Sequence, residues 1–256
     1  MDRIISRYCP RIDFSSYEDM KANFTIRVPD DFNFGYDVVD AWADEEPGKL
    51  ALVRTDDAGN MESFTFDDIK RESNRAANFF KAHGIEKGDR VLMILKQRPE
   101  IWFCLVGLCK LGAVAIPGSF QLTEKDLVYR LGISGAKMLV CVDDEEIVAH
   151  AKSALPKCPQ TQTLVTIGER AVEGSVPYRA VIGGYSPVFS RPEGAEATTA
   201  TDPMLIYFSS GTTGMPKMVK HAFSSPLGQI TTARYWQCVR ENKVHLTQTD
   251  SGWAKF

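Results

Sequence analysis

The sequence predicts an α/β fold of mostly parallel sheets flanked by helices, and three observations carry that prediction. From Asp89 onward, short apolar runs alternate with longer helical patterns, the spacing of parallel strands joined by crossover helices. Residues 91–95 and 138–142 are apolar at every position, as strands covered on both faces are. Gly112 and the pair Pro117-Gly118 stand where a helix and a strand in that scheme have to stop. At 256 residues, a chain buries about 70–75% of its extended surface, enough for one large or two ordinary domains.

Residues 1–35 are weakly periodic but carry Phe14, Tyr17, Phe24, Phe32 and Phe34, an aromatic density that suggests a strap lying on a core. Residues 36–44 read as a helix with Val38, Val39 and Trp42 on one face, ended by Pro47-Gly48. Residues 50–53 and 64–66 read as strands of a hairpin turning through Asp57-Ala58-Gly59-Asn60. Thr65 or Asp67 can cap the next helix, which runs to about His83 with Ile69, Ala76, Ala77, Phe79 and Phe80 at near-helical spacing. Gly84 stops it, and His83 suits the negative end of the helix dipole.

The alternating part follows. It is read as a strand at 91–95, a helix at 99–111, a strand at 113–116, a helix at 123–133 capped by Thr123, a strand at 138–142, a helix to about 155 and a strand at 164–167. The acidic run Asp143, Asp144, Glu145 and Glu146 invites a metal reading. Acids at a helix N-terminus are, however, favourable by about 0.3–1 kcal/mol each with no ligand. Residues 168–202, rich in Gly, Pro and Thr, read as a surface connection. Beyond it come a strand around 204–208, a helix over 226–239 and a strand over 244–247.

Composition narrows the function classes. Hydrophobic residues make up 44% and charged residues 25%, ordinary for a globular protein, and a net charge of −3 argues for no nucleic-acid partner. The six cysteines (Cys9, Cys104, Cys109, Cys141, Cys158 and Cys238) are dispersed, with no Cys-x-x-Cys pair. With no secretory signal read at the N-terminus, they suggest a reduced, cytoplasmic protein. The longest apolar segment, 101–109, falls far short of the roughly 20 residues of a membrane helix, so no membrane span is expected.

The chemistry concentrates in one stretch. After the apolar run 204–208 come Ser209, Ser210, Gly211, Thr212, Thr213, Gly214, Met215, Pro216 and Lys217. Two glycines let several N–H groups turn toward one point. Four hydroxyls add donors, and Lys217 adds a compact positive charge, so the stretch is suited to a polyphosphate. A solvated turn has similar composition, but it has no need of a strand in front and Pro-Lys behind. The Walker-type loop requires Gly-Lys-Ser/Thr, which is absent, and no Gly-x-Ser-x-Gly elbow of a serine hydrolase occurs.

This loop resembles the signature of the adenylate-forming superfamily, [Tyr/Phe]-x-Ser-Gly-[Ser/Thr]-Thr-Gly-x-Pro-Lys. Four further segments resemble the same family. They are Phe64-Thr65-Phe66-Asp67-Asp68-Ile69, Gly88-Asp89-Arg90-Val91, the run from Leu108 to Pro117 that contains Lys110, Gly112 and Ala113, and Thr249-Asp250-Ser251-Gly252-Trp253. The last, with Met218-Val219-Lys220-His221 behind the loop, leans toward medium-chain acyl-CoA synthetases. The resemblance implies the N-terminal large-domain portion of the adenylate-forming fold. Residues 1–70 would be a strap, helix and hairpin, 71–200 a first α/β subdomain, and 201–256 the phosphate loop and the start of a second subdomain.

It also implies ATP-dependent activation of a carboxylic acid, of medium-chain fatty type, to an acyl-adenylate and then an acyl-CoA. ATP, Mg2+ and coenzyme A would be the partners. Ser209 to Lys217 would hold phosphates, and His221 and Trp253 would stand near an acyl or nucleotide pocket, although each is equally an ordinary packed side chain. The family's later elements, which hold adenine, ribose and the catalytic lysine, are not found in these residues. The chain is therefore expected to be incomplete at its C-terminus, to contain no catalytic residue and no metal ligand, and to be inactive alone. Two alternatives stand beside this reading: an aryl-CoA ligase or carrier-loading adenylation enzyme, and a non-catalytic nucleotide-binding remnant.

Overall fold

A computed structural model describes residues 3–210, 214–246 and 248–253. The N-terminal strap holds two short helices, α1 (Ile5–Tyr8) and α2 (Tyr17–Asn23), and one of its anchors is a buried polar side chain. Asn33 is buried, donates to Cys109 O at 2.8 Å and accepts from Gly35 N at 3.0 Å. The helix expected over 36–44 begins as a wide π-helical stretch, Gly35–Asp40, and tightens into α3 (Ala41–Glu45). Only a glycine fits at its start, because a Cβ on Gly35 would lie 2.7 Å from the Lys110 side chain.

The expected hairpin is β1 (Leu50–Thr55) and β2 (Met61–Thr65), paired antiparallel. Phe66 opens α4 (Phe66–Ala82) instead of ending the strand. The reason is a capping box. Thr65 Oγ1 accepts from Asp68 N at 3.1 Å, and the Asp68 carboxylate accepts from Thr65 N at 2.8 Å, which satisfies two donors that a helix start leaves open.

The alternating region then follows in the expected order. It comprises β3 (Arg90–Ile94), α5 (Glu100–Leu111), β4 (Val114–Pro117), α6 (Glu124–Ser134), β5 (Met138–Val142), α7 (Glu145–Ala154) and β6 (Thr163–Ile167). The connection after it is more than surface. It carries a short strand β7 (Val176–Pro177) and a helix α8 (Tyr178–Val181) whose Tyr178 is buried in the core. Two further strands, β8 (Pro203–Ser209) and β9 (Lys217–Ala222), precede α9 (Ser225–Gly228) and α10 (Ile230–Tyr235).

The strands from β3 onward form one sheet in the order β7-β6-β5-β3-β4-β8-β9, parallel throughout except for β9, which returns antiparallel beside β8. Strands β3 and β5 are buried along almost their whole length and α4 packs on α5 behind them. The helices approach closely because Gly107 has no side chain; a Cβ there would meet Ser73 O and Ala76 Cβ at 2.8 Å. Because β8 and β9 hydrogen-bond into this sheet, residues 203–222 continue the layer formed by residues 90–177.

Three sequence expectations need correction. Strand β9 was not expected. The helix over 226–239 is two short helices broken around Gly228 and Gln229, where glycine is a weak helix former, and it ends at Tyr235. Residues 244–246 form no strand, and Val244 and Leu246 are each 83% exposed. No neighbouring strand takes up their backbone groups, and β-propensity without a partner does not hold a strand. Thr247, the last residue of that expected strand, lies outside the described residues.

Candidate functional site

In a parallel sheet the carboxyl ends of the strands share one edge, where α/β folds bind ligands. The loop between Ser209 and Lys217 leaves from that edge, at the end of β8. The turns at Gly118-Ser119 after β4 and Lys96-Gln97 after β3 open on the same side. The loop closes an antiparallel hairpin, not a crossover, with Ser209 directly opposite Lys217, Tyr207 opposite Val219 and Leu205 opposite His221.

Strand alternation settles which groups can act together. Directly opposed residues share a face, so Ser209, Tyr207, Lys217, Val219 and His221 all stand on one side of the hairpin. His221 packs edge-on against Tyr207, ring centroids 5.8 Å apart, and burial raises the Tyr207 phenol above its ordinary pKa. Lys217 and His221 are four residues apart on one strand, about 13 Å at the usual rise. Their backbone positions stand at different depths along β9. Lys217 is exposed at the loop, while His221 is half-buried further down.

Of the expected loop, Ser209, Ser210, Gly214, Met215, Pro216 and Lys217 are described; Gly211, Thr212 and Thr213 lie outside the described residues. Gly214 has φ +150. Ser209, Ser210, Gly214 and Met215 are exposed, so the hydroxyls and backbone donors present face solvent at the sheet edge.

The segment Thr249 to Trp253 docks on the same edge. Gln97 Nε2 donates to Thr249 O at 2.6 Å, Ser119 Oγ donates to Asp250 Oδ2 at 3.4 Å, and Gly252 N donates to Asp250 Oδ1 at 2.7 Å. Gly252 lies so close to the turn after β4 that a Cβ would be 2.2 Å from Ser119 N. Trp253, expected beside a pocket, is 64% exposed. A cavity of about 510 Å3 lies elsewhere, between the strap (Ile4, Tyr8, Phe32, Trp42) and α9–α10 (Leu227, Ile230), and includes neither His221 nor Trp253.

The acidic run is explained by local partners. Asp144 accepts from Glu146 N and Ile147 N at the start of α7. Lys96, hydrogen-bonded to Asp144 at 2.9 Å, holds its carboxyl below the ordinary carboxylate range. Asp143 accepts from Arg170 N at 2.9 Å and faces Arg98 at 3.3 Å. Among the described residues, no group of three or more His, Cys, Asp or Glu side chains is placed to hold a metal ion.

Sequence reasoning missed the neighbours that the fold supplies. Tyr129 and Arg130 of α6 reach the two stalks of the loop, at Pro216 and Phe208. Ser119 and Gln97 receive the 249–253 segment. The one available signal was Gly118-Ser119 directly after a buried strand, a position that belongs to the carboxyl edge in any parallel sheet.

The sequence and the fold have counterparts among known proteins. Residues 39–254 match the sequence profile described as AMP-binding enzyme. The chain is 36% identical over 235 residues to human acyl-coenzyme A synthetase ACSM5, mitochondrial, covering 89% of this chain and 40% of that protein. It is 34% identical over 250 residues to acyl-coenzyme A synthetase ACSM3, mitochondrial, of Pongo abelii, covering 94% and 42%. The chain thus spans about two-fifths of the length of these curated relatives. Among solved structures, its fold matches Brucella canis acyl-CoA synthetase with a TM-score of 0.80 at 24% identity, over 95% of this chain and 44% of the other. An anthranilate CoA ligase, AuaEII, in complex with anthranoyl-AMP matches with a TM-score of 0.68, also at 24% identity, over 82% and 38%. Among the described residues no helix is long and apolar enough to cross a membrane.

Proposed function

This chain belongs to the AMP-binding enzyme family, and from that premise we propose that it serves an AMP-forming acyl-CoA synthetase that activates a medium-chain fatty acid. In that reaction the acid's carboxylate attacks the α-phosphorus of ATP, a P–O bond breaks and pyrophosphate leaves, giving the acyl-adenylate. The thiol of coenzyme A then adds to the acyl carbon and AMP leaves. The acyl-CoA class is supported by the relatives named above, and the medium-chain preference by the resemblance of the Asp250-Ser251-Gly252-Trp253 segment.

The part of this chemistry proposed for these residues is phosphate binding. An anionic nucleophile has to approach a polyanion, so charge on the β- and γ-phosphates must be offset and the leaving pyrophosphate held. Ser209, Ser210, Gly211, Thr212, Thr213, Gly214, Met215 and Pro216 would supply hydroxyls and backbone donors, and Lys217 a point charge. The observation that carries this reading is the loop's place, closing a hairpin at the carboxyl edge with Ser209 opposite Lys217. The spacing along β9 supports a place for His221 near another part of the ligand, its acyl or nucleoside portion, and Trp253 would stand near the same portion. Mg2+ would arrive with the ATP, because it is commonly held through substrate phosphates and few protein carboxylates.

The test is calorimetric titration of the chain with Mg·ATP. Binding is expected, and Lys217→Ala should weaken it at least about tenfold, the scale of one lost charge-assisted contact. Titration of the wild-type chain with no heat of binding and no thermal shift would sink the reading. For location we propose the cytoplasm, on the free thiols; the curated relatives are called mitochondrial, and subcellular fractionation decides between the two.

A further inference from the structure

Helix α6 touches both stalks of the loop that closes the β8–β9 hairpin. On the outgoing stalk, the Arg130 guanidinium carbon lies 4.4 Å from the centroid of the Phe208 ring, within cation–π range. On the returning stalk, the Tyr129 hydroxyl donates to Pro216 O at 2.8 Å. The Tyr129 ring also meets Phe208 edge-on, with centroids 6.5 Å apart.

These contacts are partly buried. Arg130 Nε is shielded from solvent and has no hydrogen-bond acceptor among the described residues, and burial pushes its guanidinium below the ordinary arginine value. A desolvated cation is costly to keep, and the Phe208 ring face is what it is set against. The carbonyl that Tyr129 holds belongs to the same planar peptide unit as the Lys217 N–H. Fixing that plane fixes the direction in which the chain enters β9 at Lys217, opposite Ser209.

We propose that Tyr129 and Arg130 are positioning residues for the two stalks of this hairpin, with α6 holding Phe208 and Pro216 at one separation so that Ser209 and Lys217 are presented to phosphate together. The proposal rests on the phosphate-binding reading above and adds to it two side chains from outside the loop, neither of which touches the nucleotide. Anchoring both stalks lowers the ordering cost that a ligand would otherwise meet on binding.

The test combines amide hydrogen exchange on the ligand-free chain with Mg·ATP titration, for wild type, Tyr129→Phe, Arg130→Met and Arg130→Lys. In Tyr129→Phe and Arg130→Met, exchange at Lys217, Met218 and Val219, where β9 begins to pair with β8, should speed by about fivefold, the scale of one net hydrogen bond. Amides of β5 should be unchanged, and the Kd for Mg·ATP should rise by about the same factor. Arg130→Lys, which keeps a cation over the ring, should recover most of the loss. Unchanged exchange at those three amides in both variants overturns the proposal. So does an equal rise in β5, which marks general loosening. A wild-type chain that ignores Mg·ATP while the exchange pattern holds overturns the phosphate reading and supports α6 as the anchor of a loop with another ligand.

Discussion

Lys110 shows what a single residue of this chain is asked to do. Its side chain is fully buried, with its ammonium 2.7 Å from Asp40 Oδ1 and 2.7 Å from Asn74 Oδ1, and burial pushes its pKa below the ordinary lysine value. It ties α5 to α4 and to the π-helical stretch over Gly35–Asp40, behind the sheet and away from the loop. Removing one member of a buried pair leaves the other charge uncompensated, which costs about 3–5 kcal/mol. Lys110→Met is therefore expected to lower the urea-unfolding free energy by that amount, and Lys110→Met combined with Asp40→Leu by much less. Equal losses in the single and double variants would show that the pair is not the cause. The sequence showed Lys110 only as one letter of a family-like segment. Its burial was not legible there, because its partners at positions 40 and 74 come from elements whose packing no local pattern records.

At the scale of elements, the legible parts were those with unambiguous periodicity. The runs at 91–95 and 138–142 could be read as buried strands because nothing in them asks for water. Strand β9 was not legible because Lys217-Met218-Val219-Lys220-His221 lies at a sheet edge, where half-exposed positions blur the alternation. Val244 and Leu246 misled for the opposite reason, since their β-propensity has no partner strand to act through. Helix α4 gives a prediction at this scale. Asp68 is held below the ordinary carboxylate range, first by the Thr65 hydroxyl and then by Thr65 N–H, with Arg71 adding to both. A depressed folded-state pKa means stability that is present at neutral pH and lost as pH falls through that pKa. Asp68→Asn should therefore flatten the fall in stability below about pH 4, and Thr65→Ala should cost about 1 kcal/mol at neutral pH. Acid melts of Asp68→Asn that superimpose on wild type would rule out this contribution.

Across the whole molecule, the thiols report cooperativity. All six are free; Cys9, Cys104, Cys109, Cys141 and Cys158 are buried and Cys238 is exposed. Burial pushes the Cys109 and Cys141 thiols up to about 12 and Cys104 higher still, so little reactive thiolate forms at neutral pH. Native chain should react with Ellman's reagent at Cys238 alone, and all six thiols should react together in denaturant. Stepwise release of the five would show that the strap, which holds Cys9, opens independently of the sheet. The hairpin at the carboxyl edge has one more consequence, for change in length. A strand presents alternate residues to opposite faces, so inserting or deleting one residue between Lys217 and His221 would move His221 through the sheet to the α6 side while Lys217 stayed behind. Point substitutions at Met218 or Lys220 leave that phase intact. The stretch should therefore accept changes of side chain far more readily than changes of length, and a deletion scan read by thermal stability would find an intolerant window there.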